Sequence, residues 1–123
     1  LIEVFKVIES WGFIYKTCAF TWVKQNPLGQ GIYSGLGHWT LANPELCLLA
    51  THKKFPKRIH PVKQLVFAPR SIHSKKPDII RNKIIELVGD LPRIELFARQ
   101  KTEGWDVWGN EVKSDIKLES RVN

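Results

Sequence analysis

An α/β fold, a sheet flanked by helices, follows from three features of the 123-residue sequence. Apolar residues recur at helical spacing in two segments, first Leu1, Val4, Phe5, Ile8 and Trp11, later Ile80, Ile84, Leu87 and Val88. Runs rich in aromatic and β-branched residues lie between and after them, as strands require. A hydrophobic content of 43% in a single domain-sized chain is enough to build a core.

In order along the chain, residues 1–11 read as an amphipathic helix that Gly12 stops. Residues 13–24 follow as a strand, Phe-Ile-Tyr-Lys-Thr-Cys-Ala-Phe-Thr-Trp-Val-Lys. Pro27 and four glycines, Gly29, Gly31, Gly35 and Gly37, make residues 26–39 a long loop. Residues 45–52 are a continuous apolar run and are expected as a strand interior to a sheet. A basic loop then runs to Pro61, and residues 62–68 are a short further strand. Pro77 opens a helix to Val88, with Asp78 at its positive end and Gly89 as its stop. Residues 94–98 form a strand, residues 100–110 a loop with Trp105 and Trp108, and a polar tail that frays begins at Lys113.

Charge is concentrated. From Leu46 to Pro77 there are Lys53, Lys54, Lys57, Arg58, Lys63, Arg70, Lys75 and Lys76 with no Asp or Glu, so this stretch carries +8 and the rest of the chain −1, for a net charge of +7. A polyanion suits such a strip, because neutralising phosphates releases condensed counterions. A solvated loop is the competing reading. No apolar run approaches the ~20 residues that span a bilayer. Two cysteines, Cys18 and Cys47, without a signal-peptide pattern point to a reducing cytosol and to inert strand thiols. His38, His52, His60 and His73 lie on separate loops without the paired spacing of a metal site. Gly35-Leu-Gly37 neither follows a strand directly nor opens a helix, which makes it weak as a phosphate cradle.

Four clusters point further. Trp11-Gly-Phe-Ile-Tyr15 leads into Phe20-Thr-Trp-Val-Lys24, and Gly35-Leu-Gly-His-Trp39 precedes Asn43-Pro-Glu-Leu-Cys-Leu-Leu-Ala-Thr51. His73-Ser-Lys-Lys-Pro-Asp78 opens the second helix, and Arg93-Ile-Glu-Leu-Phe-Ala-Arg99 leads to Gly104-Trp-Asp-Val-Trp-Gly-Asn-Glu-Val112. In this order the chain resembles the MTA-type N(6)-adenine methyltransferases, the family of the mRNA adenosine methyltransferase and its bacterial and phage DNA-modifying relatives. The wording is closer to the bacterial or phage branch. The resemblance covers residues 1–112 and leaves 113–123 as the tail. It implies a Rossmann-like sheet flanked by helices, S-adenosyl-L-methionine as cofactor, and methylation of the exocyclic amino group of adenine. DNA is the expected partner. RNA methylation, or an inactive nucleic-acid-binding relative acting with a partner subunit, are the alternatives. A cytoplasmic place in a bacterial or phage-infected cell, no membrane, and a homo- or heterodimer complete the expectation.

The family's catalytic Asp-Pro-Pro-Trp does not occur in the sequence. By resemblance that motif precedes the first helix, so the domain is expected to be N-terminally incomplete, with no catalytic residue in this chain. The resemblance places Lys76, Leu96, Arg99, Lys101, Thr102, Asn110 and Glu111 at the cofactor. Lys76 suits a carboxylate, Arg99 ribose hydroxyls, and Asn110 an adenine edge or ribose. Their competing readings are an exposed cation, an ion pair of Arg99 with Glu95 or Glu111, and a turn asparagine. On the substrate side stand His38 and Trp39, the latter stacking on an unpaired base or else anchoring the core. Lys53, Lys54, Lys57 and Arg58 are placed on the nucleic-acid backbone.

Overall fold

Strand β1, Ile14–Gln25, organises the first of two units, Leu1–Gly89 and Asp90–Asn123. The computed structural model describes residues 1–28, 31–37, 39–71 and 75–118. β1 is central in a three-stranded sheet, antiparallel to β2 (Pro44–Thr51) and parallel to β3 (Leu65–Pro69). Two helices complete the unit, α1 (Ile2–Ser10) and α2 (Ile79–Val88).

Strand alternation sorts the side chains between the two faces. Phe20 and Trp22 share one face with Val66 and Ala68, and all four are buried. The apolar positions of α2, Ile80, Ile84 and Leu87, pack onto this face as their helical spacing predicts. Trp22 Nε1 donates to the Ala68 carbonyl at 2.8 Å, tying the two parallel strands together inside the core. Gly89 ends α2 at φ 95°, with its N–H on the Ile85 carbonyl. The opposite face carries Thr21, Val23, Leu46, Leu65 and Phe67. Phe67 and Leu65 remain more than half exposed there.

The expectation that residues 45–52 lie inside the sheet is corrected. β2 is an edge strand among the described residues. Its apolar run arises because both faces contact apolar groups. Cys47 packs on the core cluster, and Leu46, Leu48 and Ala50 line an open groove with Val4, Ile8 and Trp11 of the α1 segment. Both cysteines are free and half-buried, and burial, with Cys18 beside it, pushes the Cys47 thiol up. No residue of α1 is buried; Phe5 meets Tyr15 edge-on at 4.9 Å, and Trp11 is 59% exposed.

In the second unit β4 (Ile94–Leu96) runs parallel to β5 (Asp106–Trp108). β5 falls inside the segment expected to be a loop, because three residues between turns are too few to show alternation. Ala98, Trp105 and Val107 are buried, and the Arg93 guanidinium lies 5.6 Å over the Trp105 ring. The fraying expected from Lys113 is corrected at Ser114 and Asp115. Asp115 accepts the Val107 N–H at 2.9 Å and the Lys101 ammonium at 2.7 Å, and its own N–H reaches the Val107 carbonyl. Ile94 is 36% exposed, whereas Glu95 is half-buried.

Trp22→Phe keeps most of the ring and removes the Nε1–H, leaving the Ala68 carbonyl without its side-chain donor. A loss of about 1–3 kcal/mol is expected, read as a lower urea midpoint at unchanged slope.

Candidate functional site

Because β1 and β3 are parallel, Gln25 and Pro69 finish at the same end of the sheet. Residues 26–43 and 70–78 therefore leave from one end, the carboxyl end of the parallel strands, where open α/β sheets bind ligands. β2 runs the other way, so it starts at this end and brings Glu45 opposite Trp22. Lys76 Nζ contacts Glu45 Oε1 at 2.5 Å, and Lys24 Nζ approaches Oε2 at 3.4 Å while lying 5.7 Å over the Trp22 ring. One carboxylate thus holds two ammonium groups. Burial pushes the Glu45 carboxyl up, but the hydrogen bond and charge of Lys76, reinforced by Lys24, leave it below its ordinary value. A pocket of about 250 Å³ opens beside the pair, lined by Phe20, Trp22, Glu45, Leu46, Cys47, Lys76, Pro77 and Ile80.

The glycine-rich loop is held at its base by backbone pairing. Asn26 N–H reaches the Gly31 carbonyl, Tyr33 N–H the Lys24 carbonyl, and Gly35 exchanges two bonds with Ala42. Asn43 Nδ2 donates to the Tyr33 carbonyl at 3.0 Å and to Ser34 Oγ at 2.9 Å. Trp39 lies beyond this frame and is 99% exposed, so its reading as a core anchor is overturned. His38 lies outside the described residues.

The basic turn sits elsewhere. β2 ends at Thr51, opposite Ile14, and residues 52–58 continue from there. They are therefore separated from Glu45 and Lys76 by the length of an eight-residue strand, roughly 25 Å. His52 and Phe55 exchange backbone bonds, His52 Nδ1 meets the Gly12 carbonyl at 3.2 Å, and Ile59 N–H reaches the Leu87 carbonyl. Lys53 adopts φ 57°, a left-handed conformation uncommon for a side chain with Cβ. Lys53, Lys54, Lys57 and Arg58 are exposed, and among the described residues none pairs with a carboxylate. The sequence placed all these cations in one strip; the fold divides it between two ends of the sheet.

The remaining expected cofactor residues lie in the second unit. Leu96 closes β4 and is half-buried. Arg99 Nε approaches Glu111 Oε2 at 3.9 Å, so the ion-pair reading of Arg99 is realised. Lys101 is held by Asp115, whose carboxyl is lowered by the hydrogen bonds from Lys101 and from the Val107 backbone. Thr102 accepts the Trp105 N–H through its carbonyl, and Asn110 is exposed just after Gly109. A Cβ on Gly109 would stand 2.7 Å from the Ala98 carbonyl oxygen, so this close approach requires glycine. Sequence reasoning passed over Phe97. It leaves the end of β4 at φ 59°, 73% exposed, with its ring edge-on to Trp108 at 5.3 Å. Phe97 is thus a strained, exposed aromatic at the carboxyl end of a parallel strand, and no sequence period reveals a positive φ.

The family model MT-A70 matches residues 2–111. The chain belongs to the MT-A70 family. It is 40% identical over 115 residues to the type II methyltransferase M.MunI of a Mycoplasma species, covering 90% of this chain and 45% of that protein. The chain thus spans about half the length of the curated relative it matches, within a family of methyltransferase enzymes. Among the described residues no group of His, Cys, Asp or Glu could hold a metal ion, and no helix is long and apolar enough to cross a membrane.

For this MT-A70 member the Glu45 pair carries a pH signature. A carboxyl lowered in the folded state stabilises the fold above its unfolded value, and that gain is lost as pH falls through the folded value. With about a third of the side chain exposed, the gain is screened to less than ~1 kcal/mol. Glu45→Gln should therefore lower the urea midpoint slightly at about pH 7 and match the parent at about pH 3. A gap that persists in acid would assign the effect to packing instead.

Proposed function

We propose that the chain is the part of an S-adenosyl-L-methionine-dependent methyltransferase that holds the cofactor and contacts DNA, within a Rossmann-like sheet. The observation that carries this is the Lys76–Glu45 pair beside its pocket at the carboxyl end of the parallel strands. The amino-acid end of S-adenosyl-L-methionine bears a carboxylate and an ammonium. An ion pair with both signs at the mouth of a pocket suits it, Lys76 taking the carboxylate and Glu45 the ammonium. When bound, the cofactor supplies an electrophilic methyl group.

The chain's own residues bind and orient. Arg99 presents a planar fork to ribose hydroxyls. Asn110 can donate and accept together, as an adenine edge or ribose needs. Leu96 and Phe97 offer apolar surface at the end of β4. Lys101, Thr102 and Glu111 complete the proposed set, Lys101 through the Asp115 contact that fixes it. Trp39 stands free to stack on an adenine taken out of its duplex. No residue of this chain receives the target amino proton in this reading.

The DNA reading draws on the unpaired cations of residues 53–58 and on the similarity to a type II methyltransferase. Labelled methyl transfer by the complete protein to DNA and to RNA, followed by nucleoside analysis, tests it. N(6)-methyladenine in DNA is expected. Label in RNA alone would move the reading to RNA, and no label in either would remove it.

Asn110→Ala should weaken S-adenosyl-L-methionine binding by up to about a hundredfold, the loss of one hydrogen-bond partner that the bound cofactor would cover. Calorimetry on the Asn110→Ala, Lys76→Ala and Arg99→Ala proteins checks this; unchanged affinity in all three would remove the assignment.

Replacing Lys53, Lys54, Lys57 and Arg58 with Gln should weaken DNA binding equally across sequences. The log–log salt slope should become shallower by roughly three to four units, at ~0.9 per phosphate contact. Cofactor affinity should be unchanged, since the turn lies the length of β2 from Lys76. Parallel salt plots for parent and variant would mean that the phosphates are held elsewhere.

A further inference from the structure

We infer that Leu36 is a positioning residue, an apolar wedge that enters a stacked base step of duplex DNA and holds open the space left by the extruded adenine. The inference rests on the reading of the chain as part of a DNA adenine methyltransferase. It begins with an anomaly of exposure. Leu36 is 97% exposed and Trp39 is 99% exposed, yet both lie in a loop whose base is firmly built. Gly35 and Ala42 pair across that base at 2.8 and 3.0 Å, and Asn43 ties down Tyr33 and Ser34. A Cβ on Gly37 would collide with the Thr40 carbonyl, so the position after Leu36 requires a glycine. The apolar groups are thus presented by a paired backbone frame.

Charge identifies the occupant. The Arg70 guanidinium lies 4.4 Å over the Tyr33 ring at the foot of the loop, and the Arg70 backbone N–H donates to the Gln25 carbonyl. Among the described residues Arg70 pairs with no carboxylate. A fixed cation at the base and apolar groups at the tip match a nucleic-acid duplex, with phosphate outside and stacked bases inside. Leu is among the side chains suited to prising a base step apart, whereas an indole suits stacking on a base already free. Leu36 and Trp39 therefore divide the work, the first replacing the target in the stack and the second holding it outside.

A duplex needs the wedge and a single strand does not. Methyl transfer by the complete protein is measured on unmethylated phage DNA, native and heat-denatured. Leu36→Ala should lower transfer to native DNA by about tenfold or more and leave the denatured form within about twofold. Leu36→Met, still long and apolar, should retain both. An equal fall on both forms, or no change on native DNA, would overturn the wedge. If the equal fall comes with an altered elution volume of the protein, the loop is a protein contact and the wedge is likewise overturned. No transfer by the parent to either form would overturn the DNA methyltransferase reading itself, and this inference with it.

Discussion

β1 runs parallel to one neighbour and antiparallel to the other, and that difference of direction decides where every charged segment lands. The parallel partner β3 sends residues 70–78 out of the same end as the glycine-rich loop. The antiparallel partner β2 begins at that end with Glu45 and finishes at the far one, where it delivers the basic turn. Had β2 been parallel, Lys53 and Lys76 would share an end, and Glu45 would stand away from both its lysines. The buried Trp22 secures the arrangement, its ring packed in the core and its Nε1 bonded across to β3.

Most of the fold was legible because its signals are local. Helical spacing marked α1 and α2, Gly89 marked the end of α2, and aromatic and β-branched residues marked β1. What was not legible depends on partners distant in sequence. An apolar run such as Pro44–Thr51 says that both faces of a strand are covered, but not whether another strand lies beside it. β5 takes its identity from β4, twelve residues earlier in register, rather than from Asp-Val-Trp. The positive φ of Lys53 and of Phe97 has no counterpart in composition, since nothing in a lysine or phenylalanine announces it.

The proposed site divides in the same way. Lys76 was legible by its motif, and its partner was not, because Glu45 lies 31 residues upstream and meets it only through the strand register. Trp39 beside glycines reads in sequence as a core anchor by default, with stacking as the competing reading. Exposure separates the two, and exposure belongs to the folded chain. Arg99 shows the reverse: the ion pair with Glu111, one of the readings its sequence context offered, is present in the fold.

Dividing the positive strip has an electrostatic consequence. Cations roughly 25 Å apart are separated by more than two Debye lengths at physiological salt, so each group acts on its own stretch of polyanion. Lys53, Lys54, Lys57 and Arg58, exposed and without a carboxylate partner among the described residues, are the cations that the proposed function sets on a backbone without base preference. At the other end Lys24 and Lys76 are drawn onto Glu45, which withholds their charge from any phosphate and keeps it for the pocket. Arg70 alone of that end's described cations is set on an aromatic ring rather than on an acid. One end of the sheet thus carries exposed cations and the other a carboxylate with two ammonium groups, a separation that follows from the opposed directions of β2 and β3.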